Sequence, residues 1–292
     1  MGTPTYVTDT DIMERISGEL RKGRRVALAV IVEKIGSGPR SVGAKMAVIE
    51  DGTVYGTLGG GPFERDVVEK ALEAIREGRP RLLKYNFSGR QVSGSIDTGL
   101  ICGGMVTVYI DVLVPFPRIY VVGVGRIGKP LSDILSLMGY KVVVLDTVEE
   151  LVDRDKFPYA LDLVVGDAER LGDYIVENAR EGDIVLIVHG EVDVDYTVLS
   201  KALESRASYI GLLGSRRKVI EFVKRLVSSG VGLDIIRDKL YAPIGIDIGC
   251  ETPGEIALSI ASQVVSWIRG RAERNYRVLD IIRTEIIDKA IS

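Results

Sequence analysis

The sequence predicts an α/β protein in which an N-terminal α+β domain precedes a Rossmann-like domain with a doubly wound parallel sheet. Apolar strands alternate regularly with helices after residue 118, whereas the residues before it mix several strands with two helices. Pro115 and Pro117 interrupt an apolar stretch between the two regions, and proline cannot donate to a central sheet ladder. The predicted divisions are a domain at 1–115, a domain at 118–270 and a C-terminal helical tail at 271–292.

Capping and turn residues define the elements of the first domain. Thr8 or Asp9 caps a helix that ends near residue 22, and Pro62 begins a second helix that ends near residue 77. The turn at 50–52, which is Glu-Asp-Gly, is a strong hairpin signal. Strands are predicted near 25–33, 45–50, 53–57, 81–87 and 105–111.

The second domain repeats a strand and a helix in turn. Thr252, Pro253 and Glu255 carry the start signal of its last helix, which ends near residue 269. Its strands are predicted near 118–123, 141–146, 161–165, 183–189 and 207–213, and its other helices near 126–138, 169–179, 194–205 and 215–230.

Composition narrows the class of protein. A net charge of −3 gives no basic footprint for nucleic acid, and no apolar run approaches the roughly 20 residues that cross a bilayer. The N-terminus lacks a signal pattern, so we expect a cytoplasmic protein. Cys102 and Cys250 are too few for a disulfide framework, and His189 is the only histidine, which excludes a His-rich metal site. We predict no metal site.

A strand that runs into Gly-x-Gly-x-x-Gly predicts a dinucleotide site at residues 119–128. Gly123 permits the tight bend, Gly125 lets backbone amides approach a pyrophosphate, and Gly128 lets the following helix lie close to the strand. The pyrophosphate would meet the positive end of a helix that starts near Arg126, and we count Arg126 and Ile127 as cofactor-binding.

Asp146 completes this prediction. It ends the next strand about 20 residues after the turn, where a carboxylate accepts hydrogen bonds from a ribose diol. A carboxylate there repels a 2′-phosphate, which favours NAD over NADP. The alternative is a Rossmann-like domain that has the turn and binds no ligand. A P-loop is rejected because Pro130 stands where a Ser or Thr should meet magnesium.

Glycine-rich segments of the first domain are candidates for gripping a ligand. Residues 56–64 contain Gly59, Gly60 and Gly61 and end at a helix N-terminus, which favours an anion. Arg40 offers a guanidinium suited to phosphate, and Cys102 presents a thiol beside Gly103 and Gly104. Alternatively, these glycines make tight corners and Cys102 is a buried small hydrophobe.

The second domain has two further candidates. His189 follows an apolar strand, on the side of the sheet where ligands lie, and would suit proton transfer. It would equally suit a hydrogen bond to a carboxylate such as Asp193 or Asp195. A basic cluster at 215–218 would hold an anion or be solvated. His189 and Cys102 are the candidate catalytic residues.

Several longer segments carry a family resemblance. On the N-terminal side they are 36–40 (GSGPR), 43–46 (GAKM), 56–61 (GTLGGG) with Glu64, and 102–104 (CGG). On the C-terminal side they are the glycine turn, 209–218 (YIGLLGSRRK), 243–249 (PIGIDIG) and 251–257 (ETPGEIA). Together they resemble the xanthine dehydrogenase accessory factor family, XdhC/CoxI, over nearly the whole chain.

The resemblance implies a role in maturing molybdenum hydroxylases. Such factors bind the molybdenum cofactor, protect it during sulfuration and hand it to the apoenzyme, which would be the protein partner. Arg40 and the glycine-rich helix start would then meet the phosphate of molybdopterin, and the Cys102 thiol is a soft group suited to molybdenum or sulfur. The apolar tail at 276–291 predicts a homodimer contact, with packing on its own domain as the alternative.

The sequence departs from the family pattern at several positions. Pro62 and Phe63 stand where relatives usually carry a cysteine and a β-branched residue, which weakens a two-thiol mechanism. Arg126 replaces a histidine, and Thr147 replaces an arginine, which further favours NAD. Gly254 and Gln263 replace acidic residues.

Three functions follow from these patterns. The first is a maturation factor that holds the molybdenum cofactor in its first domain and NAD in its second. The second is an NAD-dependent oxidoreductase with His189 as acid and base. The third is a nucleotide-sensing regulator without cofactor cargo.

Overall fold

A computed structural model describes residues 7–88, 94–97 and 101–271, with only the backbone at Ser88, Asp97, Ile101 and Cys102. The chain divides into two compact units, one up to Phe116 and one from Pro117. The predicted tail at 271–292 lies outside the described residues beyond Arg271. The α/β fold class is confirmed, because the first unit holds a mostly antiparallel sheet and the second a parallel one.

The first unit is a sheet with a helix on each face. Its helices are α1 (Asp9–Arg21) and α2 (Gly61–Glu77), and its strands are β1 (Val26–Ile35), β2 (Lys45–Ile49), β3 (Val54–Gly56), β4 (Arg81–Ser88), β5 (Ile96–Asp97) and β6 (Ile101–Leu113). The strand order is β3-β2-β1-β6-β4-β5, with β4 and β5 parallel and the other pairs antiparallel.

Apolar alternation in β1 and β6 explains the two layers of core in the first unit. Ala27, Ala29 and Ile31 point to α2, whereas Val26 packs with α1 on the other face. The register of β1 against β6 shifts between Ile31 and Glu33, a bulge that redirects the end of β1.

The second unit is a three-layer Rossmann sheet. Its strands are β7 (Arg118–Val122), β8 (Lys141–Asp146), β9 (Asp162–Val165), β10 (Ile184–Ile187), β11 (Tyr209–Leu212) and β12 (Leu240–Tyr241). Its helices are α3 (Gly128–Leu137), α4 (Ala168–Asn178), α5 (Val192–Glu204), α6 (Arg216–Ser228), α7 (Leu233–Lys239) and α8 (Pro253–Ile268), with a 3-10 turn at Glu149–Leu151.

The strands lie in the order β12-β11-β10-β7-β8-β9, so the chain reverses direction across the sheet between β7 and β10. Two apolar clusters flank the sheet: α4 to α7 cover one face, and α3 and α8 cover the other. Ligands of open parallel sheets bind beyond the carboxyl ends of the strands at such a reversal. The glycine turn lies at that point.

Two differences from the sequence prediction bear on function. Residues 101–104 lie in β6, whereas the sequence predicted a loop before a strand at 105–111; pairing of Ser88 with Ile101 carries the strand through the glycines. The prediction also missed β5, α7 and β12, because two-residue strands and a seven-residue helix leave no periodic signal.

Candidate functional site

The first glycine of the Rossmann turn is required by its conformation and its neighbour. Gly123 has φ of +88°, which a residue with a side chain rarely adopts. A methyl group there would lie 2.1 Å from Cα of His189, so the turn rests directly on the backbone that follows β10. Gly123 therefore serves both the tight bend and the close approach of two strand ends.

The second and third glycines play different parts. A methyl group on Gly128 would lie 1.8 Å from the carbonyl oxygen of Gly123, so Gly128 lets α3 pack against the turn as the sequence predicted. A methyl group on Gly125 would meet no atom within 4 Å, so space is open beside it. This open side suits the approach of a phosphate.

Helix α3 begins at Gly128, two residues later than predicted, because residues 125–127 form a turn before the helix. Arg126 is exposed and Ile127 is the N-cap residue, without a side-chain cap. Within the part of the chain that the structure describes, the amides of Arg126, Ile127 and Gly128 donate to no protein acceptor. Residues present at the turn thus fit an anionic pyrophosphate.

Asp146 is turned inward from the end of β8. Its Oδ2 accepts from the amide of Val124 at 2.6 Å, its Oδ1 accepts from the amide of Val148 at 2.9 Å, and only 1% of the residue is exposed. Burial raises its pKa, but His189 and the two amides outweigh burial and hold the pKa below its usual value. Asp146 therefore stabilises the turn through these two hydrogen bonds, and the rest of its carboxylate is buried.

His189 lies immediately after β10 beside the same carboxylate. Its Nε2 is 3.0 Å from Oγ1 of Thr147 and 3.7 Å from Oδ1 of Asp146, and its side chain is 7% exposed. The adjacent Asp146 carboxylate raises the pKa of His189 against the opposing effect of burial. The carboxylate partner is therefore Asp146, not Asp193 or Asp195 as the sequence suggested.

The geometry differs from that of a nucleophile triad. The hydroxyl and the carboxylate both face Nε2, whereas a triad uses the two ring nitrogens for the two partners. Nδ1 of His189 is buried and has no hydrogen-bond partner. Because the ring is enclosed, no observation favours His189 as the acid or base of an oxidoreductase.

The basic cluster of residues 215–218 divides into two parts. Arg216 and Arg217 are exposed, whereas Nζ of Lys218 pairs with Asp195, which is 0% exposed. Asp195 also accepts from the amide of Gly190 at 3.1 Å. Lys218 therefore holds the loop after β10 in place and is not a free cation.

The glycine-rich segments of the first unit meet around the end of β1. A methyl group on Gly104 would lie 2.1 Å from the carbonyl oxygen of Ser37, and one on Gly36 would lie 3.0 Å from that of Gly103. A methyl group on Gly59 would lie 2.3 Å from Cβ of Pro39. Segments far apart in sequence thus pack against one another in the first unit, with Gly36, Gly59 and Gly103 exposed and Gly104 buried.

The glycine loop before α2 is occupied by a side chain of its own helix. Oε2 of Glu64 accepts from Oγ1 of Thr57 at 2.5 Å and from the amides of Leu58, Gly59 and Gly60 at 2.8, 3.2 and 3.0 Å. Burial raises the pKa of Glu64, but these four hydrogen bonds hold it below its usual value. Two of the amides predicted to face a phosphate, those of Gly59 and Gly60, face this carboxylate instead.

The remaining predicted residues of the first unit are placed as follows. Gly61 is the first residue of α2 and Arg40 is exposed. Cys102 lies in β6, and its side chain falls outside the described part of the chain. Phe63, which departs from the family pattern, is 1% exposed and packs edge-on against Tyr85 and Phe87. It fills the core under the glycine loop.

Two roles were missed from the sequence. Glu64 enters the sequence analysis only as part of a family motif, although an acid in the first turn of a helix after three glycines is a signal for amide capture. Thr147 departs from the family pattern, but the sequence does not indicate its contact with His189. Nothing in a sequence indicates that a residue after one strand reaches a residue after another.

The described residues contain neither a cluster of metal-ligating side chains nor a helix that could span a membrane. Across residues 7–88, 94–97 and 101–271, no group of three or more His, Cys, Asp or Glu side chains is placed to hold a metal ion. In the same ranges no helix is long and apolar enough to cross a membrane.

Comparison with family models assigns both units. Residues 119–264 match the model described as the XdhC Rossmann domain, and residues 19–86 match that of the XdhC and CoxI family. The first range contains the glycine turn, Asp146 and His189, and the second contains Arg40 and the Glu64 loop.

Three curated relatives extend this comparison. The chain is 36% identical over 82% of its length to the uncharacterized protein YqeB of Escherichia coli (strain K12), and 27% identical over 54% to a probable xanthine dehydrogenase subunit of Bacillus subtilis (strain 168). It spans 43% and 44% of those two relatives, less than half of each. It is 25% identical to the molybdenum cofactor insertion chaperone PaoD of E. coli (strain K12), over 85% of both chains.

Proposed function

Because this chain belongs to the XdhC and CoxI family, we propose that it is a maturation factor that holds the molybdenum cofactor for a molybdenum hydroxylase of the xanthine dehydrogenase type. The PaoD match supports this proposal, since it covers both units in one alignment of 275 residues. The cofactor is cargo here, bound and released rather than consumed.

We assign the cargo to the first unit. The observation that carries this assignment is the convergence of the loops at Gly36 and Gly59 with strand β6 at Gly103, which brings three exposed glycines to a shared surface. Arg40 is exposed at the end of the first of these loops and supplies a guanidinium for the phosphate of a pterin cofactor. Cys102, on the strand that carries Gly103 and Gly104, supplies a thiol for molybdenum or its sulfur.

The Glu64 contacts refine the phosphate site. Since the amides of Leu58, Gly59 and Gly60 already bind a carboxylate, a phosphate at this surface depends on Arg40 and not on those amides. The carboxylate also repels a second anion close by.

We assign a dinucleotide, NAD rather than NADP, to the second unit. Unengaged amides at the start of α3 and open space beside Gly125 support this assignment. Asp146 contributes by holding the turn, and the exposed Glu149 and Glu150 that follow it repel a 2′-phosphate at that edge. A nucleotide there would report the redox state of the cell to the maturation step.

The cargo assignment is tested by mixing purified chain with molybdenum cofactor and measuring pterin fluorescence and bound molybdenum. Wild type should bind stoichiometrically, and Cys102→Ser and Arg40→Ala should each weaken binding about tenfold or more. Cys250→Ser is the matched control, because Cys250 is the other thiol and lies in the second unit. Folded wild type that binds no cofactor, or equal loss in both cysteine variants, would remove the cargo site from the first unit.

A further inference from the structure

His189 joins the two halves of the parallel sheet. It follows β10, yet its ring contacts Thr147 and Asp146, which lie at and after the end of β8. Strand β7 lies between β8 and β10, so the ring crosses the end of β7 beneath the glycine turn. This passage exists because Gly123 has no side chain: a methyl group there would lie 2.6 Å from Cβ of His189.

His189 therefore lies directly against the glycine turn that carries the predicted pyrophosphate position. Above it, the amides at the start of α3 have no protein acceptor within the described residues. On its other side, Asp146 accepts from two backbone amides. The ring itself keeps one buried nitrogen, Nδ1, without a partner.

The charges that face this ring come from two other elements, β8 and α5. Asp146 ends β8, Glu191 is the N-cap residue of α5, and Asp195 lies in the first turn of α5. Asp195 is paired with Lys218 of α6, so its charge is largely compensated. Asp146 is thus the closest uncompensated anion, and an imidazolium at His189 would neutralise it.

We propose that His189 is a positioning residue for the dinucleotide. In its protonated form, the imidazole links the end of β10 to the end of β8 through Asp146 and Thr147, and it places a positive charge close to the pyrophosphate. The inference rests on the proposed dinucleotide site and adds its dependence on pH. Protonated, the His189 and Asp146 pair has no net charge; deprotonated, it leaves a buried carboxylate close to an anionic ligand.

The sign of the effect follows from this change of charge. Asp146 raises the pKa of His189, so in the free protein the imidazolium persists above pH 6.5. A bound pyrophosphate stabilises the imidazolium further and raises that pKa again. By linkage, NAD affinity is highest at low pH and falls as pH rises through the pKa of the free protein, before levelling above that of the complex.

The experiment uses the fact that this chain has a single histidine. Nuclear magnetic resonance of the labelled imidazole follows its titration without assignment ambiguity, with and without NAD. We expect a free pKa above 6.5 and a rise of about half to one unit on binding, which corresponds to about a three- to tenfold fall in affinity across the titration. Calorimetry of NAD binding from pH 6 to pH 9 measures that fall in affinity directly. In His189→Gln, the affinity for NAD should no longer change across this pH range.

The outcomes separate this inference from the proposed function. NAD binding with a flat pH profile, or an imidazole pKa that NAD leaves unchanged, overturns the role of His189 while the dinucleotide site stands. Folded wild type that binds no NAD at any pH overturns both. Because the wild-type titration needs no variant, a poorly folded His189→Gln does not affect the result.

Discussion

Two glycine-rich loops, one in each unit, precede a helix and are put to opposite uses. At the start of α2, three backbone amides and a threonine hydroxyl converge on the carboxylate of Glu64. At the start of α3, Asp146 takes one amide, that of Val124, and those of Arg126, Ile127 and Gly128 have no acceptor among the described residues. We call the loop before α2 the closed loop, because the Glu64 carboxylate occupies three of its amides, and the turn before α3 the open loop, because three of its amides are unoccupied within the described residues.

The difference shows what glycine content does and does not predict. Gly59, Gly60 and Gly61 all have positive φ, as Gly123 does, so both loops turn amides toward one side. Whether a ligand finds those amides free depends on the nearest acid. Glu64 is on the helix that the loop begins and can fold back onto it, whereas Asp146 comes from a neighbouring strand and reaches only the near end of its turn.

The largest expected effect is that of Gly128→Ala in the open loop. The methyl group would overlap the carbonyl of Gly123, so the turn or α3 must move, at a cost of about 3 kcal/mol in unfolding free energy. Trp267, the only tryptophan, lies in α8 of the second unit, so its fluorescence during urea unfolding reports on this unit. An unchanged midpoint would mean that the close packing of α3 on the turn is absent.

An intermediate effect is expected when the closed loop loses its anion. Glu64→Ala leaves three amides and a hydroxyl without their acceptor, which should cost about 2 kcal/mol and expose the amides of residues 58–60 to hydrogen exchange. Glu64→Gln is the matched control, since its carbonyl oxygen still accepts hydrogen bonds but carries no charge. Its unfolding free energy should lie between those of wild type and Glu64→Ala.

The same contact predicts that the stability of the loop at residues 58–60 depends on pH. The pKa of Glu64 is held below its ordinary value of 4.5, so its stabilisation is fully present above pH 4.5 and is lost as pH falls through the lowered value. Exchange protection at 58–60 should decline in that window in wild type and stay level in Glu64→Gln. Protection that does not change with pH would show that the carboxylate does not hold the loop.

The smallest effect on stability, and the sharpest on binding, is expected for Gly125→Ala. A methyl group there meets no protein atom within 4 Å, so the unfolding free energy should change by less than about 0.5 kcal/mol. A ligand phosphate close to the turn would meet it, and NAD affinity should fall about tenfold or more. Equal NAD affinity in wild type and Gly125→Ala would place the nucleotide elsewhere.

The sequence predicted the Rossmann turn well because each glycine has a local cause. Gly123 is required by its positive φ in the bend, and Gly128 by the carbonyl oxygen of Gly123 within the same turn. The strand and helix order followed from apolar alternation, and the capping box of Thr252 and Glu255 was found where it was predicted.

What the sequence did not predict depends on contacts between distant segments. The packing of Gly104 against Ser37 joins a strand to a loop 67 positions away. The approach of His189 to Thr147 spans 42 positions. Local periodicity carries no information on such pairs, and the inward turn of Asp146 likewise depends on which donors the folded turn presents.

The Glu64 loop has a consequence for selectivity. The carboxylate of Glu64 belongs to a residue only four positions after Gly60, the last residue whose amide it binds. Its effective concentration at the loop is therefore about millimolar or higher. Free phosphate, molybdate or sulfate in solution must compete with an acid that never diffuses away. The loop is thereby shielded from small oxyanions in solution, whereas the guanidinium of Arg40 in the same unit is exposed.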